Sequence, residues 1–285
     1  MVMIAYSHGG QNHLDDFLAL LTARIEGYEC RRVPKVPDEL GESDIVIDMG
    51  GQYDGERFFD HHHDGSLPCS AVLLWRAWGA RNALYGMCLA SRALQDLNDT
   101  DTRVGIVGLP EDRRPDRLRL RALLEAEGEI LKDARYCTEV LLHFASASSL
   151  REFVDNCFND DGVALQSVLQ ASLARVVQAE REESALVEAV EVVPCGDVVL
   201  GVSRKPLDRV VQRVFEERKV DVIIHPNTRE AGKSSVVRDS QGRYGQVAVL
   251  DLLPQLRGRA SFAHPAGFMA VVDGEPDAVL QALLG

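Results

Sequence analysis

The sequence has no excess of basic charge. Its 285 residues carry 31 Lys and Arg against 44 Asp and Glu, a formal net charge of −13. A protein that wraps long nucleic acid needs a broad basic face, so that class is excluded, although an enzyme gripping a short nucleic acid in a local pocket is not. No apolar run approaches the roughly 18 residues of a membrane span, and the N-terminus has no basic segment before an apolar stretch. The six cysteines, Cys30, Cys69, Cys88, Cys137, Cys157 and Cys195, form no C-x-x-C pair, which argues against a zinc ribbon or a thioredoxin-like motif. Low-complexity, collagen-like and disordered classes fail on composition, with 46% hydrophobic and 26% charged residues, and no internal repeat is found. A soluble, reduced, cytoplasmic protein of about two domains is the expectation.

Charge is unevenly placed. Residues 1–100 carry 15 acidic and 8 basic side chains, and residues 204–243 carry ten basic and six acidic ones. The first hundred residues alternate short apolar runs with helical periods: strands over Met1–Tyr6, Tyr28–Val33 and Asp44–Met49, helices over Asp15–Ile25, Ser70–Trp78 and Leu84–Leu97. This order predicts an α/β fold with a parallel sheet, whose ligands gather at the carboxyl ends of the strands. Pro115–Leu131, Thr138–Leu150 and Leu165–Glu191 read as helices. Strands return at Glu191–Pro194, Val198–Ser203, Val220–His225, Ser234–Arg238, Tyr244–Leu250 and Phe268–Val272. The expected division is a catalytic domain over 1–150, a helical connector over 151–190 and a smaller α/β substrate-binding domain over 191–285.

Three segments carry metal-binding residue types. Ser7-His8-Gly9-Gly10-Gln11-Asn12-His13-Leu14-Asp15-Asp16 links a strand to a helix, so His8, His13 and Asp15 can converge. The other reading is a polar turn with carboxylates at a helix N-terminus. Asp48 ends the apolar strand Ile45-Val46-Ile47 before Gly50-Gly51, as either a presented carboxylate or a turn-capping one. Asp60-His61-His62-His63-Asp64 puts three histidines between aspartates, and neighbours on extended backbone face opposite sides. Imidazole mixed with carboxylate suits Mn, Fe or Zn better than Ca or Mg.

Taken in order, these stations resemble the DHH phosphoesterase superfamily, which includes RecJ-type exonucleases, family II inorganic pyrophosphatases and nano-RNases. Within it the chain is most similar to the melanocyte-proliferating-gene family of metal-dependent hydrolases. That family reads T-H-N-G-x-F-H-x-D-E, then D-x-G-G-x-Y-D, then F-D-H-H-Q. Here the last two stations are Asp48-Met-Gly-Gly-Gln-Tyr-Asp54 and Phe59-Asp60-His61-His62-His63. Ser70-Ala71 matches a following helix start, and Phe262-Ala263-His264-Pro265-Ala266-Gly267-Phe268 resembles the family's F-V-H-x-S-G-F segment. The family's D-A-I-D-N-G station corresponds to Asp96-Leu97-Asn98-Asp99-Thr100-Asp101, with Asp96 aligned as ligand and Asp99 as the alternative. The family's tryptophan-bearing strand is replaced by Lys233–Arg238.

The resemblance implies two divalent ions, Mn²⁺ first with Mg²⁺ or Zn²⁺ as alternatives. His8, His13 and Asp48 would hold one; Asp15, Asp48, His61 and Asp96 would hold the other, with Asp48 as bridge. Asp60 would orient the ligand His61. His62 would contact the scissile phosphate or protonate the leaving group. His264, Gly267, Arg229, Lys233 and Arg238 would bind substrate. The implied activity is phosphodiester hydrolysis, as a 3′-to-5′ exonuclease or nano-RNase on short RNA, by a possible homodimer. The alternatives are a phosphatase or pyrophosphatase on nucleotides and other small phosphate esters, a zinc hydrolase that does not use phosphate esters, and a catalytically degraded metal-binding protein.

Overall fold

The computed structural model describes residues 2–10, 12–101, 105–159 and 163–285. The chain divides into two compact units, Met1–Val177 and Gln178–Gly285.

The first unit is built on β1 (Ile4–His8), α1 (Leu14–Ile25), β2 (Glu29–Val33), β3 (Ile45–Ile47) and β4 (Phe58–Phe59). The four strands form one sheet in the order β2-β1-β3-β4, and every pairing is parallel. β3 is apolar and buried at all three positions, the pattern of a strand covered on both faces. α1 is buried continuously from Leu14 to Ala23, so it is a central helix and not an amphipathic surface one. It packs against α2 (Ser70–Trp78) and α7 (Ala134–Ser146). Trp75 and Trp78 of α2 are almost wholly buried, and the Trp75 Nε1 donates to Thr22 Oγ1 at 2.8 Å. That bond satisfies the indole's one polar atom, so the ring gains its hydrophobic burial without a stranded donor.

Further helices complete the unit: α3 (Ala83–Ala90), α4 (Leu94–Asp99), α5 (Arg117–Glu125), α6 (Glu127–Ile130), α8 (Leu150–Asn159) and the start of α9 (Val163–Glu188). Asn82, Asp116 and Asp133 cap α3, α5 and α7 by accepting from Leu84 N, Arg119 N and Arg135 N. The segment expected as a connector, 151–190, is shared between the units. Phe153, Val154, Phe158, Leu165, Leu169 and Val176 belong to the first unit's core, and Val187 and Val190 to a cluster in the second.

The second unit holds a six-stranded mixed sheet in the order β5-β6-β7-β8-β10-β9. Its strands are β5 (Glu191–Cys195), β6 (Val198–Val202), β7 (Val222–Pro226), β8 (Lys233–Arg238), β9 (Ala260–Ala263) and β10 (Met269–Asp273). Only β6 and β7 pair in parallel. One face carries α12 (Pro276–Leu284) and α11 (Val249–Leu252), and the other carries α10 (Val211–Arg218).

The expected α/β class with a parallel sheet is therefore correct. Several local expectations fail. Leu84–Leu97 is α3 and α4, parted where Ser91 turns extended; Pro115–Leu131 holds α5 and α6; and Thr138–Leu150 is interrupted where Ala147 turns extended after α7. The first strand is Ile4–His8 and not Met1–Tyr6, with Met1 outside the described residues. Tyr244–Leu250 is not a strand: its end starts α11, with Val249 N donating to Gly267 O at 2.8 Å. Apolar alternation there serves a turn and a helix packed under β10. No disulfide joins the cysteines, and among the described residues no helix is long and apolar enough to cross a membrane.

Candidate metal centre

His8, His13, Asp15, Asp48, Asp60 and His61 lie at the carboxyl edge of the parallel sheet or at a helix start beside it. β1 ends on His8. β3 runs into Asp48, whose N donates to Phe59 O at 3.1 Å, and β4 runs into Asp60 and His61. Asp15 sits in the first turn of α1, and Ser70 begins α2.

Asp48 adopts a left-handed backbone, φ 56°, followed by Gly50 and Gly51 at φ 97° and 65°. The strand thus turns sharply after Ile47, and the fully buried carboxylate of Asp48 sits among the histidines. Its Oδ2 is 3.3 Å from His8 Nε2, and its Oδ1 is 3.3 Å from His61 Nε2 and 3.6 Å from His62 Nδ1. Ser70 Oγ donates to Asp48 Oδ1 at 2.9 Å, and Ser70 N donates to Asp15 Oδ2 at 3.2 Å. One serine at the start of α2 therefore ties two candidate ligands together, with the positive end of the helix nearby.

Among the described residues, three overlapping groups bring ligand atoms within 4.8 Å of one another: His8, His13 and Asp48; Asp48, His61 and His62; His13, Asp15 and Asp101. Asp48 and His13 are each shared. Asp15 Oδ1 is buried without a hydrogen-bond partner, and His8 Nε2, Asp48 Oδ2, His61 Nε2 and Asp101 Oδ2 are buried with only one another and Asp16 as charged partners. Buried polar atoms that crowd together with so few other partners fit a cation that would satisfy them together.

The electrostatics agree. Burial drives the Asp15 carboxyl well above its usual range, and neighbouring Asp48 and Asp101 add to the rise. Burial disfavours the charged form of His61, but hydrogen bonds to Asp101 and Asp48 outweigh it and push its pKa up to about 10. Without a cation, His61 is the positive charge that this carboxylate cluster recruits.

The site departs from expectation in two places. Asp96 is turned away from the cluster. Its carboxylate holds Arg113 at 2.5 Å and accepts from Leu150 N at 3.1 Å, the start of α8, so it is a buried structural anchor. Asp101 stands where the fourth ligand was expected, with Oδ2 2.9 Å from His61 Nε2. Asp99, the other alternative, accepts from Gln95 Nε2 at 2.7 Å and joins none of the three ligand groups. Asp60 does not orient His61. Its Oδ1 accepts from His62 N at 3.0 Å and lies 2.7 Å from His62 Nδ1, while its Oδ2 accepts from Gly51 N at 2.6 Å. Burial raises the Asp60 carboxyl, but these donors prevail and hold it below its usual value. The ring it fixes is exposed: the His62 side chain is 55% accessible.

The second-unit candidates are less uniform. His264 Nδ1 accepts from Ala266 N at 3.1 Å, its ring packs 4.2 Å from that of Phe268, and Gly267 takes φ 72° in the turn. A Cβ on Gly267 would lie 3.0 Å from Ala248 Cβ, so the glycine is needed for both conformation and space. Arg229 is exposed. Lys233 Nζ is taken by Glu230 at 2.7 Å and Ser261 Oγ at 3.0 Å. Arg238 is buried, with Nη1 donating to Asp239 O at 3.4 Å.

Fold and site together define an α/β protein with a candidate His–Asp metal centre at the carboxyl edge of a parallel sheet. Residues 4–80 match the family model described as Uncharacterised protein family (UPF0160). The match covers the stretch that holds the three stations and no more than that part of the chain. The chain is similar to a MYG1 protein of Saccharomyces cerevisiae, 40% identical over 62 residues, which is 21% of this chain and 18% of that protein. It is similar to the MYG1 exonuclease of Bos taurus, 30% identical over 115 residues, covering 38% of this chain and 30% of that one. The matches thus span less than a third of either relative. Among solved structures, RecJ of Thermus thermophilus in complex with Mg²⁺ superposes with a TM-score of 0.40 at 14% identity, over 99% of this chain and 48% of that one. Its Mn²⁺ complex gives 0.38 at 12% identity, covering 99% and 51%.

Proposed function

We propose that the protein is a divalent-metal-dependent phosphoesterase of the Mn²⁺ type that hydrolyses phosphodiester bonds, as a 3′-to-5′ exonuclease or nano-RNase on short RNA. The observation that carries this reading is the sharing of buried Asp48 between the ligand groups on its two sides, beside the unpartnered Asp15 Oδ1. His8, His13 and Asp48 would hold one ion; Asp48, Asp15, His61 and Asp101 would hold the other. Bound there, divalent ions supply Lewis acidity that activates water near neutral pH and neutralises phosphoryl oxygens.

The remaining work falls to the chain's own side chains. Ser70 keeps the Asp48 and Asp15 carboxylates in place. His62 is the exposed imidazole beside the cluster, so it meets the phosphate or returns a proton to the leaving oxygen. Asp60 fixes its Nδ1, leaving Nε2 to face the substrate. The formal charge of −13 favours a short oligonucleotide or nucleotide phosphate over a long duplex. The support from relatives is that the similar bovine protein bears the name exonuclease.

The test is a panel assay with Mn²⁺, Mg²⁺ and Zn²⁺ against short RNA, cyclic dinucleotides, nucleoside monophosphates and pyrophosphate. Release of mononucleotides from short RNA supports the reading. Inertness toward every phosphate ester, with metal bound, overturns it in favour of a metal-binding protein without this catalysis.

A further inference from the structure

Behind the candidate ligands runs a line of buried charges with no part in holding the ion. Asp16, the neighbour of Asp15, is fully buried in the first turn of α1. Its Oδ2 lies 2.9 Å from His8 Nε2 and accepts from Ser7 Oγ at 3.4 Å, while its Oδ1 accepts from His13 N at 3.1 Å. One carboxylate therefore touches the ring of one candidate ligand and the backbone of another.

Arg32 of β2 grips that carboxylate with both Nη atoms, at 2.7 and 3.2 Å. With its other edge it grips Glu127 of α6, from Nε at 2.7 Å and Nη2 at 2.5 Å, and Nη1 also donates to His8 O at 3.0 Å. These contacts match the five N–H donors of a guanidinium, whose planar fork can grip two carboxylates with two bonds each. Glu127 is itself buried, 95 residues along the chain from Arg32.

We propose that Glu127, Arg32 and Asp16 form a positioning relay that holds the backbone at His8 and pins the first turn of α1, so that the affinity of the metal centre is set in part from α6. The inference rests on the metal reading above. Arg32 and Asp16 fix the backbone at His8 and His13, and loss of such outer partners of metal ligands lowers metal affinity by about 10- to 100-fold. A buried ion triad of purely structural role would instead affect folding and leave the affinity of the folded protein alone.

The experiment measures Mn²⁺ affinity by calorimetry, and the visible absorption of the Co²⁺-loaded protein, for wild type, Glu127→Gln and Arg32→Lys. Thr22→Val serves as a control: it removes a buried hydroxyl that pairs with Trp75, away from the relay. The expected result is Mn²⁺ binding weakened about 10-fold or more in both relay variants, with an altered Co²⁺ spectrum, while Thr22→Val melts lower but binds as wild type. Should Arg32→Lys fail to fold, Glu127→Gln decides. A folded Glu127→Gln with wild-type affinity and spectrum overturns the relay, as does an equal loss of affinity in Thr22→Val. If wild type itself binds no divalent ion, the metal reading fails and the relay with it, a result distinct from the other two.

Discussion

Exchanging the roles of two aspartates five residues apart gives the sharpest check on the site. Asp96 is 1% exposed and pairs with Arg113, whose side chain is 37% exposed. Asp96→Asn removes the charge but keeps an oxygen for Leu150 N. The buried guanidinium contact is lost, and solvent reaches the arginine in part, so the cost is about 2 kcal/mol and not the 3–5 of a fully buried pair. For a unit of this size that lowers the melting temperature by about 4–8 °C. Metal binding of the folded variant should stay unchanged. Asp101→Asn has the opposite signature. His61 keeps Asp48 at 3.3 Å, and one carboxylate that repels Asp15 is gone, so the metal-free protein should melt within about 2 °C of wild type. Its second ion should bind about 100-fold more weakly or not at all. Differential scanning fluorimetry on stripped protein, paired with Mn²⁺ titration calorimetry, reads both quantities. Metal loss in Asp96→Asn at unchanged melting temperature, or two tight ions in Asp101→Asn, would refute the assignment.

Other outcomes follow from the same geometry. Asp48→Ala and Asp48→Gly should both abolish metal loading and phosphoesterase turnover, and the glycine variant should be the more stable by about 1–2 kcal/mol, because φ 56° strains alanine; denaturant melts compare them. His62→Ala should leave the Mn²⁺ isotherm largely intact while turnover falls about 100-fold or more, and equal turnover would remove His62 from the reaction. The metal-free protein should lose stability as pH rises. His61 has a pKa raised to about 10, so its contribution is complete below the usual 6.5 and lost through about 10, and the raised Asp15 carboxyl acts in the same direction. Mn²⁺ binding at about pH 7 should therefore expel protons, visible as buffer-dependent heats, and buffer-independent heats would count against a protonated His61.

Much of the first unit was legible from the chain. The alternation that ends at Asp48, and the histidines clustered before residue 64, place the site at one sheet edge because parallel strands bring all their carboxyl ends to the same side. What was not legible is side-chain partnership. Asp96, Asp99 and Asp101 are chemically alike and lie within one turn or two, so spacing cannot say which faces His61. The choice is made by Arg113 and the start of α8, elements distant in sequence that claim Asp96. Likewise Asp60 was expected beside His61 because they adjoin, but the chain turns at His61, where Asp64 N donates to His61 O, and the Asp60 carboxylate accepts from His62 N and lies against its ring. Tyr244–Leu250 misled because apolar alternation is also produced by a turn tucked under a sheet. Ser70 and Arg32 carried no signal of their own: their importance lies wholly in the carboxylates they meet.

The backbone at Asp48 links these threads. Among the described residues, Asp48 and Lys219 are the non-glycine positions with positive φ, and Lys219 merely ends α10. A glycine would take the Asp48 conformation without strain, and two glycines follow immediately, so a relaxed turn is available at this point in the chain. Aspartate at this position keeps a carboxylate where the backbone disfavours any side chain, at about 1–2 kcal/mol. The carboxylate is desolvated, repels Asp15, and in the metal-free protein holds only Ser70 and imidazoles competing for several acids. A protonated His61 offsets part of the strain, desolvation and like-charge crowding at this one side chain, and a cation joining His8, His61 and Asp48 would offset more, which is the physical reason to read this edge of the sheet as a metal centre.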